Sequence, residues 1–106
     1  MLPLDQPPPI VCSIIQQHVD HRVQVRGRVV GRQEAQGIFS LQVIKSGPSG
    51  SSTISQSGTF SIDAGREKLL GHAVFNREPG VHFTAELNLR VDKQTYTCRS
   101  SDEGSQ

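Results

Sequence analysis

Three residue types in this 106-residue chain have spacings that could do chemistry. Cys12 and Cys98 are its two cysteines, one near each end, and neither lies in a Cys-x-x-Cys or Cys-x-Cys motif. Thiol–disulfide catalysis is therefore not their chemistry. They are either a disulfide closing most of the chain into one loop, as suits an oxidising compartment, or two ordinary buried thiols. His18 and His21 form a His-x-x-His with only Asp20 beside them. That falls short of the ligand set a zinc ion needs, so neither metal nor other cofactor is expected. Serines are plentiful, yet a Gly-x-Ser-x-Gly elbow and a phosphate-cradling Gly-rich loop are both missing, and the chain reads as a non-enzyme.

Arginine is the third type. Arg22, Arg26, Arg28 and Arg32 occupy even positions between Val23, Val25 and Val29, so in an extended segment all four point to one side. Four guanidinium groups are not buried without partners. On a chain of formal net charge +1 they form a local positive stripe that steers an acidic partner, most strongly at low salt. The other reading is a solvated strand face neutralised by Glu86 or other acids on a neighbouring strand. The near-neutral total argues against a nucleic-acid binder, which carries a strongly basic surface. No apolar run approaches the roughly 20 residues of a membrane-spanning helix, so no membrane partner is expected. The N-terminus lacks a basic start followed by an apolar stretch, and its first residues suit a mature exported protein or a cytoplasmic one equally.

The elements that must position these residues are strands. Residues 1–9 contain Pro3, Pro7, Pro8 and Pro9 and read as an extended tail. From Ile10 to Cys98, short alternating runs are punctuated by Gly, Pro, Asn and Asp, which predicts a single domain. The first strand is Ile10 to Gln16, with Ile10, Cys12 and Ile14 on one face. The second, Arg22 to Arg32, turns Val23, Val25, Gly27, Val29 and Gly31 inward, and only Val30 breaks the pattern. Ile38 to Lys45 points Phe39, Leu41 and Val43 inward, and Ser51 to Phe60 is a polar strand. Lys68 to Phe75 is read as a strand over a short helix, because Gly71 and the β-branched and aromatic end disfavour helix. A strand through Phe83, Ala85, Leu87, Leu89 and Val91 follows, then Gln94 to Cys98 and a polar tail over 99–106. About seven strands at this spacing predict an all-β, immunoglobulin-like antiparallel β-sandwich, with a small barrel as the other architecture.

The polar strand carries a recognisable pattern. Ile54-Ser55-Gln56-Ser57-Gly58 resembles the Ser-rich, Gln-x-Gly repeat of curli amyloid subunits. With the Cys-containing first strand, the Val-rich Arg22 to Gly31 strand, Gly37-x-Phe39-x-Leu41 and Gln56-Ser57-Gly58-Thr59-Phe60, nearly the whole chain resembles the CsgH-like curli assembly inhibitors. The resemblance implies an immunoglobulin-like sandwich in the periplasm that keeps the major curli subunit from polymerising, acting below one-to-one and without a cofactor. The arginine stripe would attract the acidic subunit. Strand contact at Gln56, Ser57, Gly58, Thr59 and Phe60 would block nucleation, since amyloid grows by strand addition. Read without the family, Gly58 marks a bulge and the Ser/Thr composition an exposed edge. The chain departs from the related enteric inhibitors in lacking their Cys-x-Cys. A monomer is the simplest expectation. The alternative function is a generic immunoglobulin-like adhesion or carbohydrate-binding module, which would present aromatic platforms.

Overall fold

A computed structural model describes residues 8–101. Its seven strands are β1 (Ile10–Val19), β2 (Arg22–Gly31), β3 (Ala35–Gly47), β4 (Gly50–Ile62), β5 (Glu67–Asn76), β6 (His82–Val91) and β7 (Gln94–Ser101). All neighbouring strands pair antiparallel. They form two sheets, of order β1-β2-β5 and β4-β3-β6-β7, so the expected β-sandwich forms and the single closed barrel does not. In antibody constant domains the fourth strand joins the sheet of the first two; here the β3–β4 hairpin keeps it beside β3.

Period-two patterning explains the core. β2 is the middle strand of its sheet, and Val23, Val25 and Val29 are essentially fully buried while its arginines face outward. Against them stand Leu41 and Val43 of β3 and Ala85, Leu87 and Leu89 of β6, all 0–1% exposed. Burying each such Val or Leu side chain stabilises the fold by about 1.5–3 kcal/mol. The two sheets touch closely at Gly27, where an added Cβ would lie 2.7 Å from the Leu70 carbonyl oxygen and 2.9 Å from Leu87 Cδ2. Phe75 and Phe83 meet edge-to-face at the far end, ring centroids 5.0 Å apart.

Some boundaries differ from the sequence expectation. β1 runs to Val19, because Gln17, His18 and Val19 pair with Gln24, Val23 and Arg22 around a two-residue turn that Asp20 opens at φ 57. The segment considered for a helix is strand β5. Its buried Leu70 and Ala73 lie three residues apart, a helix-like spacing produced by a register shift opposite Val25 and Gly27. Gly71, at φ 80, takes the left-handed conformation there that a side chain would resist. β7 continues past Cys98 to Ser101, because Ser100 is buried and receives a hydrogen bond from Gln16 Nε2. Of the two expected tails, residues 1–7 and 102–106 lie outside the described residues.

Candidate functional site

The arginine stripe is built by β2 and framed by its neighbours. Arg22, Arg26 and Arg28 project from the outer face of the three-stranded sheet, and Arg32 is exposed just beyond the strand's end. Their cross-strand partners on β1 are Val19 for Arg22, Ile15 for Arg26 and Ser13 for Arg28; on β5 they are Asn76 for Arg22 and Leu69 for Arg28. Of the six large hydrophobic side chains that are exposed among the described residues, Val11, Val19, Leu69 and Val74 lie on β1 and β5. Their positions put them on this same outer face, so the stripe is basic along its middle and aliphatic along both sides. A partner that suits it brings acidic and apolar groups together.

The charges are not equally available. Arg28 forms an ion pair with Glu67 of β5. Arg26 is half-buried, its Nε is buried without a hydrogen-bond partner, and its Nη2 lies 3.5 Å from Gln24 Oε1. Glu86, the acid named among those expected to neutralise the stripe, sits on β6 in the other sheet. There Arg99 Nε donates to it at 2.7 Å and Asn88 Nδ2 at 3.1 Å. The Arg99 hydrogen bond, seconded by Asn88, holds the Glu86 carboxyl below the usual carboxylate range. The acid beside the stripe is instead Glu67, one of the other acids on a neighbouring strand that the sequence reading allowed for without naming it; Val30, its opposite number on β2, gives no hint of which acid it is.

The Gln-x-Gly strand lies elsewhere, at one end of the four-stranded sheet. Its residues divide by parity. Phe60 is buried, Gly58 lies beneath the Phe39 ring, and Gln56 turns toward β5. The Gln56 amide acts as a backbone mimic: Nε2 donates to the His72 carbonyl at 2.6 Å and Oε1 accepts from the His72 N–H at 2.7 Å. This pair of bonds satisfies the bulged stretch of β5 and ties the two sheets together. Only Ser57 and Thr59, of the five residues expected to meet a subunit here, present side chains outward. The structure therefore places the two halves of the predicted site on different surfaces, the arginines on a sheet face and the polar strand on a sheet edge.

The remaining chemistry-bearing residues are structural. Cys12 of β1 and Cys98 of β7 are bonded across the sheets, with Cα atoms 6.2 Å apart, inside the usual range for a disulfide. His18 accepts through Nδ1 from Arg77 Nη1 at 2.7 Å, which leaves His18 engaged with β5's exit rather than with His21. No group of three or more His, Cys, Asp or Glu side chains is arranged to hold a metal among the described residues.

Comparison with known proteins gives a family and a fold. The family model for the CsgH protein matches residues 11–101. The solution structure of R. palustris CsgH is similar with a TM-score of 0.73 at 23% identity, over 85% of this chain and 89% of that one. The E. coli curli protein CsgC is similar with a TM-score of 0.71 at 16% identity, over 88% of this chain and 97% of that one. At these identities the two likenesses concern the fold. No curated protein sequence matches.

Proposed function

The chain belongs to the CsgH family, and from that premise we propose that it is a chaperone-like inhibitor that keeps the major curli subunit from polymerising. A curli role suits the fold it shares with the E. coli curli protein CsgC. The observation that carries the reading is the outer face of the three-stranded sheet, where Arg22, Arg26 and Arg28 run in line between exposed aliphatic side chains. Such a face attracts an acidic, unfolded chain at long range. Once the chain arrives, the aliphatic flanks add contacts that salt does not screen. Weak contacts suffice, because nuclei are rare and capturing a few early oligomers delays a whole population. A periplasmic location fits the Cys12–Cys98 bond, since such bonds persist in oxidising compartments.

Binding rather than catalysis is the proposed activity. The adhesion or carbohydrate-binding alternative lacks its main requirement. Phe60, Phe75 and Phe83 are buried and Phe39 and Tyr96 are half-buried, which accounts for all five aromatic side chains in the sequence.

The test is thioflavin-T polymerisation of freshly unfolded major curli subunit with this protein added well below one-to-one. The wild type should lengthen the lag, and raising the salt from low ionic strength past the point where the Debye length is about 8 Å should shorten it. Arg22→Glu and Arg26→Glu reverse charge while sparing the Arg28–Glu67 pair. Together they should remove most of the added lag at unchanged melting temperature. A full lag with both reversals in a folded protein would take the stripe out of the mechanism.

A further inference from the structure

Resting on the inhibitor reading above, we propose that the open edge of β4 from Ser51 to Thr59 receives an added strand. Its occupant is an extended, uncharged, Ser-, Gln- and Gly-rich segment of the amyloid subunit. β4 ends its sheet, and Gly50–Ile62 contains no Asp, Glu, Lys, Arg or Pro. Natural edge strands are normally guarded by such residues against pairing with another chain, so a thirteen-residue edge without them is an invitation.

The ladder decides which groups face the invitation. The two-residue turn Pro48-Ser49 closes on the Gly47–Gly50 pair, and from there hydrogen-bonded pairs with β3 recur at every second position. The N–H and C=O groups of Gly50, Ser52, Ile54, Gln56, Gly58, Phe60 and Ile62 therefore point to β3. Those of Ser51, Thr53, Ser55, Ser57, Thr59 and Ser61 point to the open edge. The same six residues turn their side chains to the outer face, and each is a serine or threonine. Such a row of hydroxyls pairs with polar side chains of an added strand and offers a charged one no advantage.

Among the described residues, a guard is present at one end only. Lys68 Nζ, reaching over from β5, donates to the outward carbonyl of Ser61 at 3.1 Å. The row is thus closed at Ser61 and free from Ser51 to Thr59, a run of about 26 Å at roughly 3.3 Å per residue. Gln56 does not meet the partner through its amide, which is held by His72. A subunit segment laid on this edge has one of its two edges covered, and a growing fibril needs both.

Amide hydrogen exchange and the thioflavin-T lag test this together, using the intact protein and freshly desalted major curli subunit. Ser55→Pro removes an N–H that points away from β3, and so leaves the β3–β4 ladder intact. Ser55→Lys adds a guard on the outer face, and Ser55→Ala keeps the edge. The added lag should fall at least fivefold with S55P and with S55K and persist with S55A. With wild type, the amides of Ser51, Thr53, Ser55, Ser57 and Thr59 should slow on adding subunit, and Lys68→Ala should extend the slowing to Ser61. A wild-type lag retained by both S55P and S55K, without slowing of these amides, overturns the edge while leaving the inhibitor reading in place. No lag with the wild type overturns the inhibitor reading and the edge with it.

Discussion

The two long sides of the sandwich are closed by different means, and the difference shows which side is free to act. Along one side β1 lies against β7, joined by the Cys12–Cys98 disulfide and by Gln16, whose amide donates to Ser100 Oγ and, at 2.9 Å, to the Ser101 carbonyl. β7 is fastened to β6 in turn by a polar chain in which Arg99 and Asn88 both donate to Glu86 and Thr97 Oγ1 donates to Asn88 at 2.7 Å. Along the other side β4 lies near β5, joined by the Gln56–His72 pair and by Lys68 on Ser61, both exposed. A covalent bond and a buried serine hold the first side. Solvent-facing hydrogen bonds hold the second, and it is there that a long uncharged edge is left. Stability is concentrated away from the edge proposed to bind.

Breaking the disulfide should have the largest effect on this contrast. The bond separates residues 86 apart in sequence, and releasing it returns about 4–5 kcal/mol of loop-closure entropy to the unfolded chain. Cys12→Ser with Cys98→Ser, or reduction of the wild type, should therefore lower the melting temperature on the order of 20 °C in a thermal melt. A drop of only a degree or two would mean that the β1/β7 side owes little to its covalent link.

Gln56→Ala should have the next largest effect, because it removes both bonds to the His72 backbone. Water replaces part of what is lost at this exposed site, so a cost of about 1–2 kcal/mol is expected from denaturant unfolding. Its local signature is faster exchange of the His72 amide, with the amides of β1 and β7 unchanged. Uniform acceleration across the protein would show that the two sides are not independent.

The smallest effect is expected at Glu86. Its carboxyl is held below the usual carboxylate range mainly by Arg99, so its contribution is present above that range and is lost as pH falls through the lowered value. Arg99 is 72% exposed and Glu86 31%, which limits the pair to roughly 0.2–1 kcal/mol. Wild type should be the more stable near neutral pH, and its margin over Glu86→Gln should shrink on acidification. A margin independent of pH would assign the difference to packing.

Reading these surfaces from sequence succeeds where the cause is local. Alternation in β2 gives both its buried valines and its outward arginines, because neighbouring residues of a strand must face opposite ways. Where a bulge interrupts alternation, as at Gly71 in β5, the same reading hesitates between helix and strand. Gln56 shows the limit for the site: its residue type fits an amyloid-like ladder, but its amide is committed to a backbone sixteen residues away in the other sheet. Likewise both Glu67 and Glu86 are visible as acids, and nothing in their neighbours tells which one stands beside Arg28.

By itself the sequence determined the strands, the inward and outward sides of the clearest ones and the family resemblance, since each depends on residue identities a few positions apart. Only the tertiary structure decided that Cys12 meets Cys98, that the arginines and the polar strand lie on separate surfaces, and that β4 ends its sheet with one guarded tip. Those outcomes follow from which strands pair and which layers face each other. Such choices are fixed by burying one common core, and every strand contributes to it at once.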